Sequence, residues 1–162
     1  MSFTYRLVET EEDFAQAHDM VSDWEVVRQL SHWPWPSDPD YTRTRLMGEL
    51  PEGSIVTAVY DGATLVGTGG IVAGRWGLMV PRAHWRRGVA TAIADYLFPR
   101  YFAGDATSLI ADVWEDNAAS RALHARLGFV ETSRDHKPNL ATGTEMPSVN
   151  YVLTRDAWEA RR

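Results

Sequence analysis

Cysteine is absent from the chain. Disulfides, thiolate metal sites and a cysteine nucleophile are therefore excluded. No apolar run approaches the ~20 residues that a membrane-spanning helix needs. The start, MSFTYRLVET, lacks the basic-then-apolar pattern of a secretory leader. Positive charge is scarce as well: the formal net charge is -6, whereas a protein that neutralises nucleic-acid phosphates needs a basic face. No internal repeat, low-complexity tract or linker interrupts the chain. The expectation is a cytoplasmic protein with no nucleic-acid or membrane partner. What is present is globular: 162 residues, 44% hydrophobic and 11% aromatic. That suits a single domain over residues 1–162 with one sizeable core.

FTYRLVE alternates and reads as a strand. Thr10 offers an N-cap with Asp13 three residues on, and Phe14, Ala17, Val21 and Trp24 follow at helical spacing. HWPWPSDP must be a loop. Ser37 or Asp38 can cap a second helix with Pro39 in its first turn, sharing Thr42, Leu46 and Leu50 on one face. SIVTAVY, TLVGTGGIV and WGLMV read as three consecutive strands, with turns at DGA and GRW. From Gly88 the period changes to helical through Val89, Ala92, Ile93, Tyr96, Leu97 and Tyr101. SLIADVW is a strand again. Asn117 opens a helix that buries Ala119, Ala122, Leu123 and Leu127 and stops at Gly128. FVETS and SVNYVLT close the chain. The order β-α-α-β-β-β-α-β-α-β-β predicts a mixed α/β (α+β) domain.

Two stretches carry chemistry. In Trp85–Thr91 a strand has just ended and a helix is about to begin. The unpaired N–H groups of a helix start, with its dipole, form an anion site. Gly88 permits close approach to the backbone and Ala90 keeps the surface low. Arg86, Arg87 and Arg82 add positive charge, so phosphate or pyrophosphate is the natural guest. The plain alternative is a solvated arginine pair beside a turn glycine. Some thirty residues on, Asn117 can cap its helix and turn an amide toward a ligand, and Ser120 lies in the first turn.

Together the stretches resemble the GNAT superfamily of acetyl-CoA-dependent N-acetyltransferases. Leu78-Met79-Val80 matches the family's L-x-V strand, and Arg86-Arg87-Gly88-Val89-Ala90-Thr91 matches the loop that wraps the CoA pyrophosphate. Asn117, Ser120, Leu123 and Leu127-Gly128-Phe129 match the later motif. The resemblance implies the GNAT fold: a mixed, mostly antiparallel sheet of about six to seven strands, flanked by about four helices. Trp85, Ala111-x-Val113, the Pro-Trp-Pro loop and the ending Tyr151-x-Leu153-Thr154-Arg155-Asp156-x-Trp158 are similar to the ribosomal-protein N-acetyltransferase (RimJ/RimL-like) branch. The span between TLVGTGG and WGLMV is shorter than that branch often carries.

The resemblance further implies direct transfer. An acceptor amine, a protein N-terminus or a small molecule, attacks the thioester of bound acetyl-CoA, and no metal takes part. A backbone N–H near Met79 or Val80 would hold the thioester oxygen. Ser120 is favoured as partner of the leaving thiol. His124, where many members have tyrosine, is the second candidate, with a surface helix residue as its plain reading. Many members place a glutamate before the L-x-V strand; here Gly74-Arg75-Trp76-Gly77 holds no carboxylate. Glu115 is the remaining candidate base, and its plain reading is a solvated residue beside Asp116. Trp33 and Trp35 could wall the acceptor cleft with His32 as a polar guide, or could pack the loop on the core. Tyr151 could face the acceptor too. The rival to an enzyme is a non-catalytic acyl-CoA-binding or regulatory module on the same fold. A homodimer is compatible with either.

Overall fold

Backbone pairing gathers every strand into one sheet. A computed structural model describes residues 2–162 and contains β1 (Phe3–Arg6), β2 (Ile55–Asp61), β3 (Thr64–Val72), β4 (Arg75–Met79), β5 (Ser108–Trp114), β6 (Val130–Asn139) and β7 (Thr144–Thr154). The spatial order is β1-β2-β3-β4-β5-β7-β6. All neighbours are antiparallel except β4 and β5, which are parallel. The helices are α1 (Glu11–Met20), α2 (Trp24–Val27), α3 (Pro39–Met47), α4 (Val89–Phe102), α5 (Ala118–Leu127) and α6 (Arg155–Glu159). Among the described residues no helix is long and apolar enough to cross a membrane.

The cap residues work as expected. Thr10 and Asp13 form a reciprocal capping box on α1, and Asp38 caps α3 with Pro39 at its first turn. Three local expectations are corrected. The first helical run does not continue to Trp24: Asp23 accepts the Glu25 N–H and caps a new helix, α2, so the chain turns at Ser22. Leu50 lies beyond α3 and is exposed, because the helix stops at Met47. Ala119 and Ala122 are exposed on α5, which instead buries Leu123 and His124. The helices exceed the expected four because α2 and α6 are short pieces that no hydrophobic period announces.

Two cores sandwich the sheet. On one face α4 and α5 cover Val59, Val66, Ile71, Trp76, Ala111, Val113, Val149, Tyr151 and Leu153. On the other, α1 to α3 and Trp33 cover Ala58, Tyr60, Leu65 and Met79. Gly69 lets α4 approach β3: a Cβ there would lie 2.3 Å from the Ile93 side chain. Ile93 and Leu97 are fully buried, each contributing about 1.5–3 kcal/mol. Exposed ion pairs give at most about 1 kcal/mol, so apolar packing seats α4. Its C-terminal end is closed by Arg155, which donates from Nε to the Ala106 carbonyl (2.9 Å) and from Nη1 to that of Phe102 (2.6 Å). A cation there also complements the helix dipole.

Candidate functional site

The sheet opens where its single parallel pair fails. β4 and β5 are paired only at Arg75 and Ile110, where the Gly74 carbonyl accepts the Ile110 N–H at 2.9 Å. Beyond that point both strands run on, held by their other neighbours: β4 against β3 as far as Met79–Thr68, β5 against β7 as far as Trp114–Ser148. The result is a wedge whose walls are unpaired main chain. Alternation along a strand turns the polar groups of Leu78 toward the wedge and those of Met79 toward β3. Of the L-x-V residues, Leu78 therefore presents the N–H that Met79 does not.

Two contacts close the narrow end of the wedge, one on each face. On the α1–α3 side Arg75 is ion-paired with Asp112, which also holds Lys137 at 2.8 Å. On the α4–α5 side the Trp76 indole N–H donates to His124 Nε2 at 3.0 Å. Neither Trp76 nor Asp112 was singled out by sequence reasoning. A tryptophan and an aspartate on strands that read as hydrophobic runs carry no local signal of lying beside a split.

At the wide end sits the cradle. Gly88 caps α4 at φ 80°, in the left-handed region, and no side chain caps the helix. The N–H groups of Val89, Ala90 and Thr91 are thus left for a ligand. Arg86 and Arg87 are exposed, and among the described residues neither forms an ion pair or side-chain hydrogen bond. The charge expected from Arg82 is not free, because its Nε donates to Asp23 at 2.9 Å. Trp85 gives its indole N–H to the Val80 carbonyl at 2.8 Å, so it braces the loop against the end of β4. Asn117 caps α5 by accepting the Ser120 N–H at 3.1 Å. That leaves its amide NH2 without a partner among the described residues. Arginines at an uncapped helix start offer an anion both charge and directed donors.

His124 is not a surface residue. It is 3% exposed, and both ring nitrogens are occupied: Nε2 by Trp76, Nδ1 by the Ser120 carbonyl at 2.7 Å. Burial pulls its pKa below the ordinary value of 6.5, against the smaller opposing effect of the Ser120 bond. Tyr151 is buried beneath it, the rings stacked with centroids 5.6 Å apart. It therefore faces α5, on the opposite side of the sheet from the residue 31–36 loop, and shares no wall with it. Glu115 is neither free nor merely solvated: it pairs with Arg134 at 2.8 Å and borders a hollow of about 280 Å³ with Asp116, Met146 and Pro147.

In the residue 31–36 loop the two tryptophans separate. Trp33 is core, edge-on to Tyr41 at 5.6 Å. Trp35 is 41% exposed and rests edge-on against Trp24. His32 is exposed, and its carbonyl accepts the Tyr41 hydroxyl. The β6–β7 turn docks beside this loop. Buried Asn139 donates to the Arg28 carbonyl at 3.1 Å, and the Leu140 N–H to that of Ser31 at 3.1 Å. A groove of about 810 Å³ runs between α1, the Asp23–Trp24 turn and Pro81–Ala83. No wedge residue lines it, so this larger hollow is separate from the wedge.

The profile of a family described as an acetyltransferase (GNAT) domain matches residues 3–130. No curated protein matches the chain. Among solved structures, the spermidine N-acetyltransferase of Vibrio cholerae, in complex with CoA and spermine, superposes with a TM-score of 0.79 at 14% identity, over 97% of this chain and 98% of that one. The ribosomal-protein-S18-alanine N-acetyltransferase of Escherichia coli gives 0.69 at 18% identity, over 94% of each chain. An N-acetyltransferase of Staphylococcus aureus Mu50 gives 0.72 at 14% identity, over 95% of this chain and 99% of that one. At these identities the likeness is one of fold.

Proposed function

The chain belongs to the GNAT acetyltransferase family, and from that premise we propose that it moves the acetyl group of acetyl-CoA directly onto a primary amine. One observation carries the reading: an α4 start without a side-chain cap, flanked by Arg86 and Arg87, which are unpartnered among the described residues, at the wide end of a split between two parallel strands. The cradle of Arg86–Thr91 would take the pyrophosphate, with Trp85 bracing the loop. Asn117 would add its amide to the cofactor. The thioester would lie in the wedge along Leu78–Val80, where the Leu78 N–H meets the oxyanion of the tetrahedral intermediate. The amine nitrogen first bonds to the acyl carbon; the intermediate then collapses, the C–S bond breaks and the Ser120 hydroxyl donates a hydrogen bond to the departing sulfur. The proton lost by the amine passes to water, and much of the rate comes from holding amine and thioester together.

The acceptor enters from the side of Trp33, Trp35 and His32, as a protein N-terminus or a small amine. A fold neighbour solved with spermine supports an amine, and Trp85, the Pro-Trp-Pro loop and Arg155 support the RimJ/RimL-like branch. We further read residues 1–162 as one domain working in the cytoplasm. The rival, a CoA-binding module without turnover, draws on Glu115 being tied to Arg134. Turnover separates the two: CoA release from acetyl-CoA over a panel of amines, peptides and ribosomal proteins supports the enzyme, and tight CoA binding without release supports the module. The placement of the cofactor has its own test. A Cβ at Gly88 meets open space but a backbone at φ +80°. Gly88→Val should weaken acetyl-CoA binding by at least about tenfold, or 1.4 kcal/mol, with the circular dichroism unchanged. Undiminished binding by calorimetry would remove the pyrophosphate from this loop.

A further inference from the structure

Trp76 reaches across the closed end of the split on the α4–α5 face. An indole N–H only donates, so His124 Nε2, which receives it at 3.0 Å, carries no proton. The neutral imidazole then holds its one proton on Nδ1, where the Ser120 carbonyl accepts it at 2.7 Å. The Ser120 hydroxyl stands 3.4 Å from the same nitrogen, which is too long to compete with that carbonyl. A protonated Nδ1 also offers the hydroxyl no acceptor. The hydroxyl hydrogen is therefore left to point away from the ring, out of the first turn of α5.

The ring is held from every side. Phe129 meets it edge-on at 5.1 Å and Tyr151 stacks on it at 5.6 Å, while Phe98 meets the Trp76 ring at 5.0 Å. Of these neighbours only Tyr151 carries an ionisable group. The charge joined to the cluster is Arg121 of α5, whose Nε donates to the Tyr151 hydroxyl at 3.4 Å. No carboxylate is bonded to the imidazole among the described residues; the Ser120 carbonyl favours the cation, and burial outweighs it.

We propose that Trp76 is a positioning residue for acetyl transfer, setting the His124 tautomer and so keeping the Ser120 hydroxyl a free donor at the split. The proposal rests on the reading of the wedge as the thioester site. Trp76 fixes which ring nitrogen is protonated, that nitrogen is occupied by a carbonyl, and Ser120 is spared the competition. His124 has no proton to give a thiolate: one nitrogen lacks it and the other has committed it. The residue standing where many relatives carry a tyrosine thus works by orientation.

Nuclear magnetic resonance of the 15N-labelled full chain reads the tautomer without any acceptor. His124 should appear as a single neutral Nδ1–H form at neutral pH, with the Trp76 indole proton protected from exchange. Trp76→Phe keeps an aromatic ring and removes the donor together with the five-membered half of the indole. It should lower kcat roughly tenfold to a hundredfold while acetyl-CoA affinity stays within about twofold, and the His124 signal should spread over both tautomers. His124→Gln, whose amide oxygen can still accept from Trp76, should keep more of kcat than His124→Phe and leave the shape of the pH–rate profile unchanged. An Nε2–H or doubly protonated His124 in the wild-type chain overturns the proposal, as does wild-type kcat in Trp76→Phe. So does a limb of the pH profile that disappears in His124→Gln. A wrong tautomer with normal turnover counts against this inference alone, whereas absent turnover on every amine counts against the proposed function as well.

Discussion

Asp13 and His124 show how two buried titratable side chains can be stabilised in opposite ways. Asp13 is 3% exposed, yet its carboxylate accepts from both terminal Arg6 guanidinium nitrogens at 2.6 and 2.8 Å and from the N–H groups of Glu9 and Thr10. The Arg6 bonds above all hold its pKa well below the usual carboxylate value. His124 is kept neutral by burial, below its ordinary value of 6.5. The pH windows follow from linkage. Unfolded His124 binds a proton as pH falls through 6.5 and the folded ring does not, so stability declines below that point. Asp13 contributes in full above its ordinary value of 3.8, and its contribution is lost as pH falls below it. Thermal unfolding followed from pH 8 to about pH 2 should therefore show two acid limbs. His124→Gln should flatten the upper one and Asp13→Asn the lower. An upper limb that survives in His124→Gln would mean that another group sets it.

At the scale of elements, local chemistry was a good guide to where helices start and a poor one to which face they bury. Thr10, Asp38 and Asn117 cap as expected because a cap needs only a short polar side chain and the next two or three N–H groups. The buried face of α5 differs from the expected stripe because alanine looks apolar and histidine looks polar. The fold buries the histidine since Trp76 and the Ser120 carbonyl satisfy both its nitrogens. β6 and β7 extend well beyond FVETS and SVNYVLT, pairing through His136–Pro147 to Asn139–Thr144. Their charged and proline-bearing segments gain register from long-range pairing with each other. The α4–β3 contact makes a direct test. Gly69→Ala drives a Cβ into Ile93 at 2.3 Å and should cost about 1–3 kcal/mol in urea unfolding. A neutral result would show that α4 can shift without penalty.

For the whole molecule, the split and the strap across its two halves matter most. The β6–β7 turn is far from α2 in the chain, yet Asn139 is 1% exposed and bonds Arg28, Met146 and its own turn. That strap joins the β5–β7–β6 half to the α1–α3 layer, across a sheet held at its centre by one parallel residue pair. Asn139→Ala leaves the Arg28 carbonyl and two turn N–H groups without their partner. It should lower stability by about 1–3 kcal/mol and raise hydrogen exchange in residues 28–31 more than in α4. Equal exchange in both would show that the strap does not hold the halves together.

By itself the sequence determined the order of the longer elements, the caps, the family and the arginine–glycine helix start, because each depends on residues near one another: arginines, a glycine and a helix start within seven positions, and a motif of thirteen around Asn117 and Gly128. Only the tertiary structure decided what lies opposite what. It turned the Leu78 amide rather than that of Met79 into the split. It took Arg82 and Glu115 into ion pairs, put Tyr151 under α5, and separated buried Trp33 from exposed Trp35. It also brought Trp76 to His124 across 48 residues. A donor-only indole and a buried imidazole have no pattern that joins them until the sheet has formed.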